Sequence, residues 1–178
     1  MDDIFKKKRL LYDRNEDLYF LTYNVILFLS ELGCTTEKSS FKDYRKLIFL
    51  VPIISDDKST QLLINYYKSS KNPNKYIVKE LNRIYYSSLE TITLLRYLLL
   101  ILERKNIIKI INEENKVNIV LLENEDVKRF IQSPIFFNEK TRINKIKKRI
   151  KSIKRLNYIT FVDGFFKMNG VAIWENWE

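Results

Sequence analysis

The chain has no histidine, a single cysteine, three glycines and three prolines among its 178 residues. Each scarcity removes a class of chemistry. Without imidazole there is no ordinary general base near neutral pH, no histidine metal ligand and no histidine-containing triad. Cys34 alone can build neither a thiolate zinc site nor an internal disulfide, which fits a reducing cytoplasm. Glycines at 33, 164 and 170 write no phosphate loop and no dinucleotide fingerprint, so ATP or NAD in their familiar modes, and cofactors generally, are not expected. So few glycines and prolines also argue against a many-turned all-β architecture. Long uncharged apolar runs are missing too. The nearest, Leu18 to Leu32, contains Asn24, Ser30 and Glu31 and falls short of a membrane span, and the start of the chain has no signal-peptide character.

What the chain does have is apolar and basic. Hydrophobic residues make up 46% and aromatics 13%, with 11 Tyr and 11 Phe, enough to fold rather than stay disordered. Residues 1–178 are one domain's worth of chain, able to bury about 70% of the unfolded surface. The formal charge of +10 favours polyanions or acidic protein faces. Lys, Asn, Ile and Tyr are abundant throughout, as an AT-rich genome would encode, and part of the basic excess has that plain origin.

The periodicity predicts an α+β, mainly helical fold with a winged-helix-like centre. At residues 88–122, Leu89, Ile92, Leu95, Leu99 and Leu102 recur at helical steps, with Tyr97, Leu98, Leu100 and Ile101 making the helix apolar on several sides. Two β-branched runs follow, Ile108 and Ile110 against Val117, Ile119 and Leu121, joined by the turn residues Asn112-Glu113-Glu114-Asn115. Upstream, Asn15 can cap a first helix that carries Glu16 and Asp17 and ends at Gly33. That helix has more apolar side chains than one stripe holds, and some of the surplus is expected to face a partner or another helix layer. Ser40 and Asp43 have the spacing of a capping box for a second helix that Pro52 stops, and Ser55-Asp56-Asp57 opens a third. Lys68 to Lys75 reads as a loop, Tyr76 to Tyr86 as a helix set off by Ser87-Ser88, and Asn124 as the cap of a short helix stopped by Pro134. Tyr158 to Lys167 suggests a second hairpin about Asp163-Gly164, and the tail WENWE is acidic and aromatic.

Between 138 and 156 lies a basic amphipathic segment, read as a helix over Lys140 to Arg155. Ile143, Ile146, Ile150 and Ile153 form an apolar seam among nine basic residues and no acidic ones. Arg142, Lys145, Lys148, Arg149 and Arg155 are the candidate contacts to nucleic-acid phosphates, against the plainer reading of a solvated face. Tyr19, Phe20, Tyr23, Tyr66, Tyr67, Tyr85 and Tyr86 are the candidate protein-interface anchors, though core packing suits many of them equally. The carboxylate pairs Asp2-Asp3, Asp56-Asp57, Glu113-Glu114 and Glu123-Glu125-Asp126 suit helix ends and turns better than a metal or acid/base pair, so neither an enzyme nor a metal site is expected.

The run Tyr44-Arg45-Lys46-Leu47-Ile48-Phe49-Leu50-Val51-Pro52-Ile53-Ile54 is preceded by the apolar helix around Tyr23-Asn24-Val25-Ile26-Leu27. It is followed by the polar link Asp57-Lys58-Ser59-Thr60 and then by the helix and hairpin of Ser88 to Leu122. This order, over residues 18–122, resembles the small middle components of three-component ABC-ATPase antiphage defence systems, the group that includes the small Lamassu subunit. The resemblance implies a non-catalytic adaptor bound to a large SMC-like ATPase and to an effector subunit in antiphage defence. The residues themselves add the expectations of a cytoplasmic location, no membrane, no small-molecule substrate, and sequence-independent contact of the basic helix with double-stranded DNA through the complex. The alternative is an autonomous winged-helix DNA-binding protein. A minimal carboxylate-metal nuclease is the remote third.

Overall fold

Helix α1 (Leu18–Glu31) is the element on which the others pack. The structure, a computed structural model, describes residues 18–174; the expected cap Asn15, its acidic first turn and most of the acidic tail lie outside them. Val25, Leu27, Phe28 and Leu29 are wholly buried. Of the two expected destinations for the surplus apolar surface of this helix, other layers of the chain take most of it: α2 (Leu47–Ser55), α5 (Ile92–Arg104), β2 (Lys116–Leu121), α6 (Glu125–Gln132) and α7 (Phe137–Arg149), with Tyr19 left exposed. Gly33 ends α1 as expected. Its φ of +64° lets the Cys34 N–H reach Leu29 O (2.9 Å) and its own N–H reach Ser30 O (2.8 Å), closing a Schellman motif.

The capping box lies four residues before the expected one. Thr36 and Ser39 form it, around a 3₁₀ turn at Glu37–Ser39. Ser40 is buried, and Asp43 takes a left-handed backbone (φ +58°) rather than a helical one. The competing force is strand pairing: Phe41 exchanges two backbone hydrogen bonds with Ile119 (2.8 and 3.0 Å), which holds this segment extended. After a 3₁₀ turn at Tyr44–Lys46, α2 begins. Pro52 does not stop it, although proline removes the donor for the Ile48 carbonyl. Val51, Ile53 and Ile54 are completely buried on either side of Pro52, and that burial outweighs the lost bond. Asp56 then caps α3 (Asp57–Tyr66), accepting from the Ser59 N–H and hydroxyl at 2.7 Å each.

Helix α4 (Lys75–Glu90) starts at Asn74 and runs straight through Ser87-Ser88; the break falls at Thr91. Serine hydroxyls bond back to earlier carbonyls without ending a helix, and Ser87 does so to Ile84 O. Helix α5 is amphipathic rather than covered on all sides. Leu95, Leu98, Leu99 and Leu102 are buried, whereas Tyr97 (57% exposed) and Leu100 (55%) face solvent. Strands β1 (Ile108–Glu113) and β2 pair antiparallel, with Glu113 opposite Lys116 and a two-residue turn at Glu114-Asn115. The described residues are therefore mainly helical, with one two-stranded hairpin extended by the Phe41 bridge.

Asn124 caps α6 as expected. Beyond Pro134 the chain continues helically, through a 3₁₀ turn into α7. The basic helix thus spans Phe137–Arg149, not Lys140–Arg155. Lys147, Lys148 and Arg149 stand in its last turn, and Ile150 leaves the helix (φ −120°, ψ 75°). The isoleucine seam survives the break: Ile143, Ile146, Ile150 and Ile153 are all buried. The expected second hairpin is a helix, α8 (Tyr158–Phe165), capped by Asn157 Oδ1 on the Thr160 N–H (2.7 Å). Its buried Tyr158, Phe161, Val162 and Phe165 recur at i, i+3, i+4 and i+7, a helical period that the turn-like Asp163-Gly164 obscures. Gly164 is there for close approach, since a Cβ would lie 3.0 Å from Lys68 Cγ and 3.1 Å from Tyr67 Cε2.

Candidate functional site

The last few carbonyls of an α-helix lack partners and carry the negative end of its dipole. The basic segment supplies cations to four such ends. Lys147 Nζ donates to Glu31 O (2.7 Å) and Lys154 Nζ to Leu32 O (3.2 Å) at the end of α1. Arg142 Nη1 donates to Ile54 O (2.9 Å) at the end of α2. Arg149 Nε donates to Ile64 O (3.0 Å) and its Nη2 to Tyr67 O (3.4 Å) at the end of α3. Lys140 Nζ reaches Ile131 O in the last turn of α6. Asn144 adds a bond to the Glu31 carboxylate (2.9 Å).

Of the five expected phosphate contacts, Arg142 does not project outward: its side chain is largely buried and also lies 3.7 Å from Glu139 and 3.9 Å from Asp57. Arg149 is held on the α3 carbonyls. Lys145, Lys148 and Arg155 are exposed, together with Lys151, and make no ion pair among the described residues. Helical spacing sets Arg142 and Arg149 on one stripe beside the isoleucine seam and Lys145 and Lys148 farther round, but it does not say which carbonyls the first two meet.

The aromatic candidates divide likewise. Tyr85 is wholly buried, stacked 5.6 Å from Phe49, and Tyr67 packs on Phe161. Phe20 is buried; Tyr23, half-buried, stacks on Phe136 at 5.3 Å, and Tyr66 is half-buried against the core. Tyr86 is partly exposed but gives its hydroxyl hydrogen to Ala172 O (3.0 Å). Among the seven only Tyr19 is largely exposed, at 85%. The large exposed apolar side chains lie mostly elsewhere: Ile135 (76%) and Phe137 (72%) at the start of α7, where the intervening Phe136 turns inward onto Tyr23 and Phe130, and Tyr97 and Leu100 on α5.

A buried polar cluster escaped the sequence reading. Asp43 is nearly inaccessible; Arg45 grips both its oxygens (2.8 and 2.9 Å), the Tyr158 N–H donates to Oδ2 (2.8 Å), and the Asp43 N–H donates to Asn118 Oδ1 (3.0 Å). Three residues after Asp43, Lys46 is completely buried, with Nζ donating to Ile153 O (2.7 Å) and lying 4.3 Å from the centre of the Phe41 ring. Burial holds its ammonium pKa down to about 7, against the opposing pull of Asp43. Nearby, burial pushes the Cys34 thiol up to about 11, which keeps it protonated and unreactive. The only signal of this cluster was its charge, Asp-Tyr-Arg-Lys beside a wholly apolar helix. Its partners lie 75 to 115 residues away. A cleft of about 450 Å³ opens beside Asp43 and Arg45, between the hairpin tip (Glu113 to Lys116) and Asn157 and Ile159.

Among the described residues no three cysteine or carboxylate side chains gather as a metal-holding group, and no helix is long and apolar enough to cross a membrane. The arrangement offers structural cation caps, an outward basic row and exposed apolar side chains. Comparison with protein-family models, curated proteins and solved structures finds no match.

Proposed function

We propose that this chain is a non-catalytic adaptor subunit that docks on a large SMC-like ATPase in a prokaryotic antiphage defence complex, and through it on an effector. The observation that carries this reading is the placement of Ile135, Phe137, Tyr97 and Leu100, bulky apolar side chains that two helical elements leave in water in pairs. Exposed aromatic and aliphatic side chains at rigid helix positions suit a protein partner. The identity of the partner rests on the resemblance in the order of elements over residues 18–122.

A second role, contact with DNA phosphates by the assembled complex, is favoured by Lys145, Lys148, Lys151 and Arg155. The winged-helix alternative, a free regulator reading a groove with the helix before its wing, fits less well. The outward side of α5 presents Tyr97 and Leu100, where groove readers carry polar and basic side chains.

Co-expression with the products of its neighbouring genes, a large ATPase among them on this proposal, tests it. The wild-type chain should co-purify with the ATPase, and either Ile135→Ser with Phe137→Ser or Tyr97→Ser with Leu100→Ser should abolish this while leaving the melting temperature unchanged. A wild-type chain that never co-purifies with the ATPase contradicts the adaptor reading.

A further inference from the structure

The hairpin has one covered edge and one open edge. Ile119 exchanges both its backbone hydrogen bonds with Phe41, and the Leu121 N–H goes to Cys34 O (2.7 Å), so these β2 residues turn their backbone polar groups away from β1. Ile119 is opposite Ile110, Leu121 opposite Ile108 and Val117 opposite Asn112. In an antiparallel ladder, such pairs direct their N–H and C=O groups outward on both strands. Ile108, Ile110 and Asn112 therefore present backbone groups on the far edge of β1. The Ile110 N–H is taken by Glu103 Oε1 (2.9 Å), but Ile110 C=O and both backbone groups of exposed Asn112 have no protein partner among the described residues. An edge of this kind is a template for another strand.

We infer that β1 is the contact strand of a two-fold homodimer, paired antiparallel with β1 of a second copy, with Ile111 on the axis. The strand's own charges select this register. Lys109 and Glu113 lie two residues on either side of Ile111, on the same face of the sheet, and both are exposed. Antiparallel pairing about Ile111 sets Lys109 opposite Glu113 of the second copy, twice, and half-buried Ile111 against its equivalent. It also sets Ile110 opposite Asn112 of the second copy, so that outward backbone groups meet outward backbone groups. Moving the axis one residue either way, to Ile110 or Asn112, brings no opposite charges together at these positions, and a slip of one residue in register would set outward backbone groups against inward ones. Within the chain, Lys109 lies 2.6 Å from Glu37, and Glu113 lies 2.9 Å from Lys42 and 3.2 Å from Lys116. Glu113 also accepts from the buried Asn118 Nδ2 (2.6 Å), but the ion pairs themselves are partly or largely exposed and can be shared or exchanged at little cost. Glu103 acts as a guard: its carboxylate competes for the Ile110 N–H and limits the pairing to a reversible one.

Sedimentation velocity of the purified full chain across a concentration series tests this. The wild type should show a monomer–dimer equilibrium. Lys109→Glu or Glu113→Lys alone places like charges opposite each other twice and should weaken dimerisation by about tenfold or more. An equimolar mixture of the two should form heterodimers, and the double swap K109E/E113K should restore the homodimer. Asn112→Pro, which removes an outward N–H and no bond of the hairpin, should also weaken the dimer, and Glu103→Ala should strengthen it. A wild type that is monomeric throughout overturns the inference. So does a dimer indifferent to both charge reversals, or single reversals that fold by circular dichroism but show no recovery on mixing.

Discussion

The two sides of the basic segment carry the same residue types to different ends. On one side Lys140, Arg142, Lys147, Arg149 and Lys154 reach the terminal carbonyls of α1, α2, α3 and α6. On the other, Lys145, Lys148, Lys151 and Arg155 stand in solvent. A run of like charge is thus not by itself the footprint of a polyanion. Helix ends need cations as much as phosphates do, and a segment laid across several C-termini concentrates them. Only the residues left over are available to a partner.

The inward side should respond most strongly to substitution. Arg142→Met leaves the Ile54 carbonyl without its charged donor in a largely buried setting and should cost about 1.5–3 kcal/mol, read as a lowered urea midpoint with an unchanged slope. Arg142→Lys, which keeps the charge but not the planar fork, should recover part of that loss.

The buried cation Lys46 sharpens the contrast through pH. Its folded-state pKa is depressed to about 7 from the usual 10.5, so between these values the unfolded chain holds a proton that the folded one does not. Stability should therefore rise with pH, by up to about 1.4 kcal/mol per pH unit. The window from pH 7 to 9 is the clean one, because above pH 9 the raised thiol pKa of Cys34 works in the opposite sense. Lys46→Met should flatten the slope in that window. An equal slope in the variant would mean that another group titrates there.

On the outward side the effects on folding should be smallest. Replacing Lys145, Lys148 and Arg155 together by Gln should cost less than about 0.5 kcal/mol per residue. If the complex holds DNA through this row, the same variant should weaken binding about equally for all sequences and reduce the salt dependence by up to about three counterion-release units. Unchanged DNA binding with lost ATPase co-purification would assign the row to protein docking.

These contrasts also mark what the residues themselves disclosed. The helical content, the hairpin, the isoleucine seam, the opening of α3 at Ser55-Asp56-Asp57 and the cap at Asn124 were legible, because each depends on neighbours a few residues away. Three misreadings had one cause, a local signal outweighed by a distant one. Ser40 and Asp43 lost their capping box to the pairing of Phe41 with Ile119; Pro52 was overridden by burial; Asp163-Gly164 suggested a turn where Gly164 instead lets α8 approach Lys68 and Tyr67. The candidate surfaces were harder still. Helical position sets Arg142 nearer the isoleucine seam than Lys145, but its partner, the Ile54 carbonyl 88 residues away, is not written beside it.

The most direct test sets the two sides against each other in one experiment, equilibrium urea unfolding of Arg142→Met/Arg149→Met beside Lys145→Gln/Lys148→Gln. Each variant removes two positive charges, so the change in net charge is matched. Cation capping of the helix ends predicts a large fall in midpoint for the first and almost none for the second, with equal slopes. Equal midpoints would contradict it and return the whole segment to a solvated basic face.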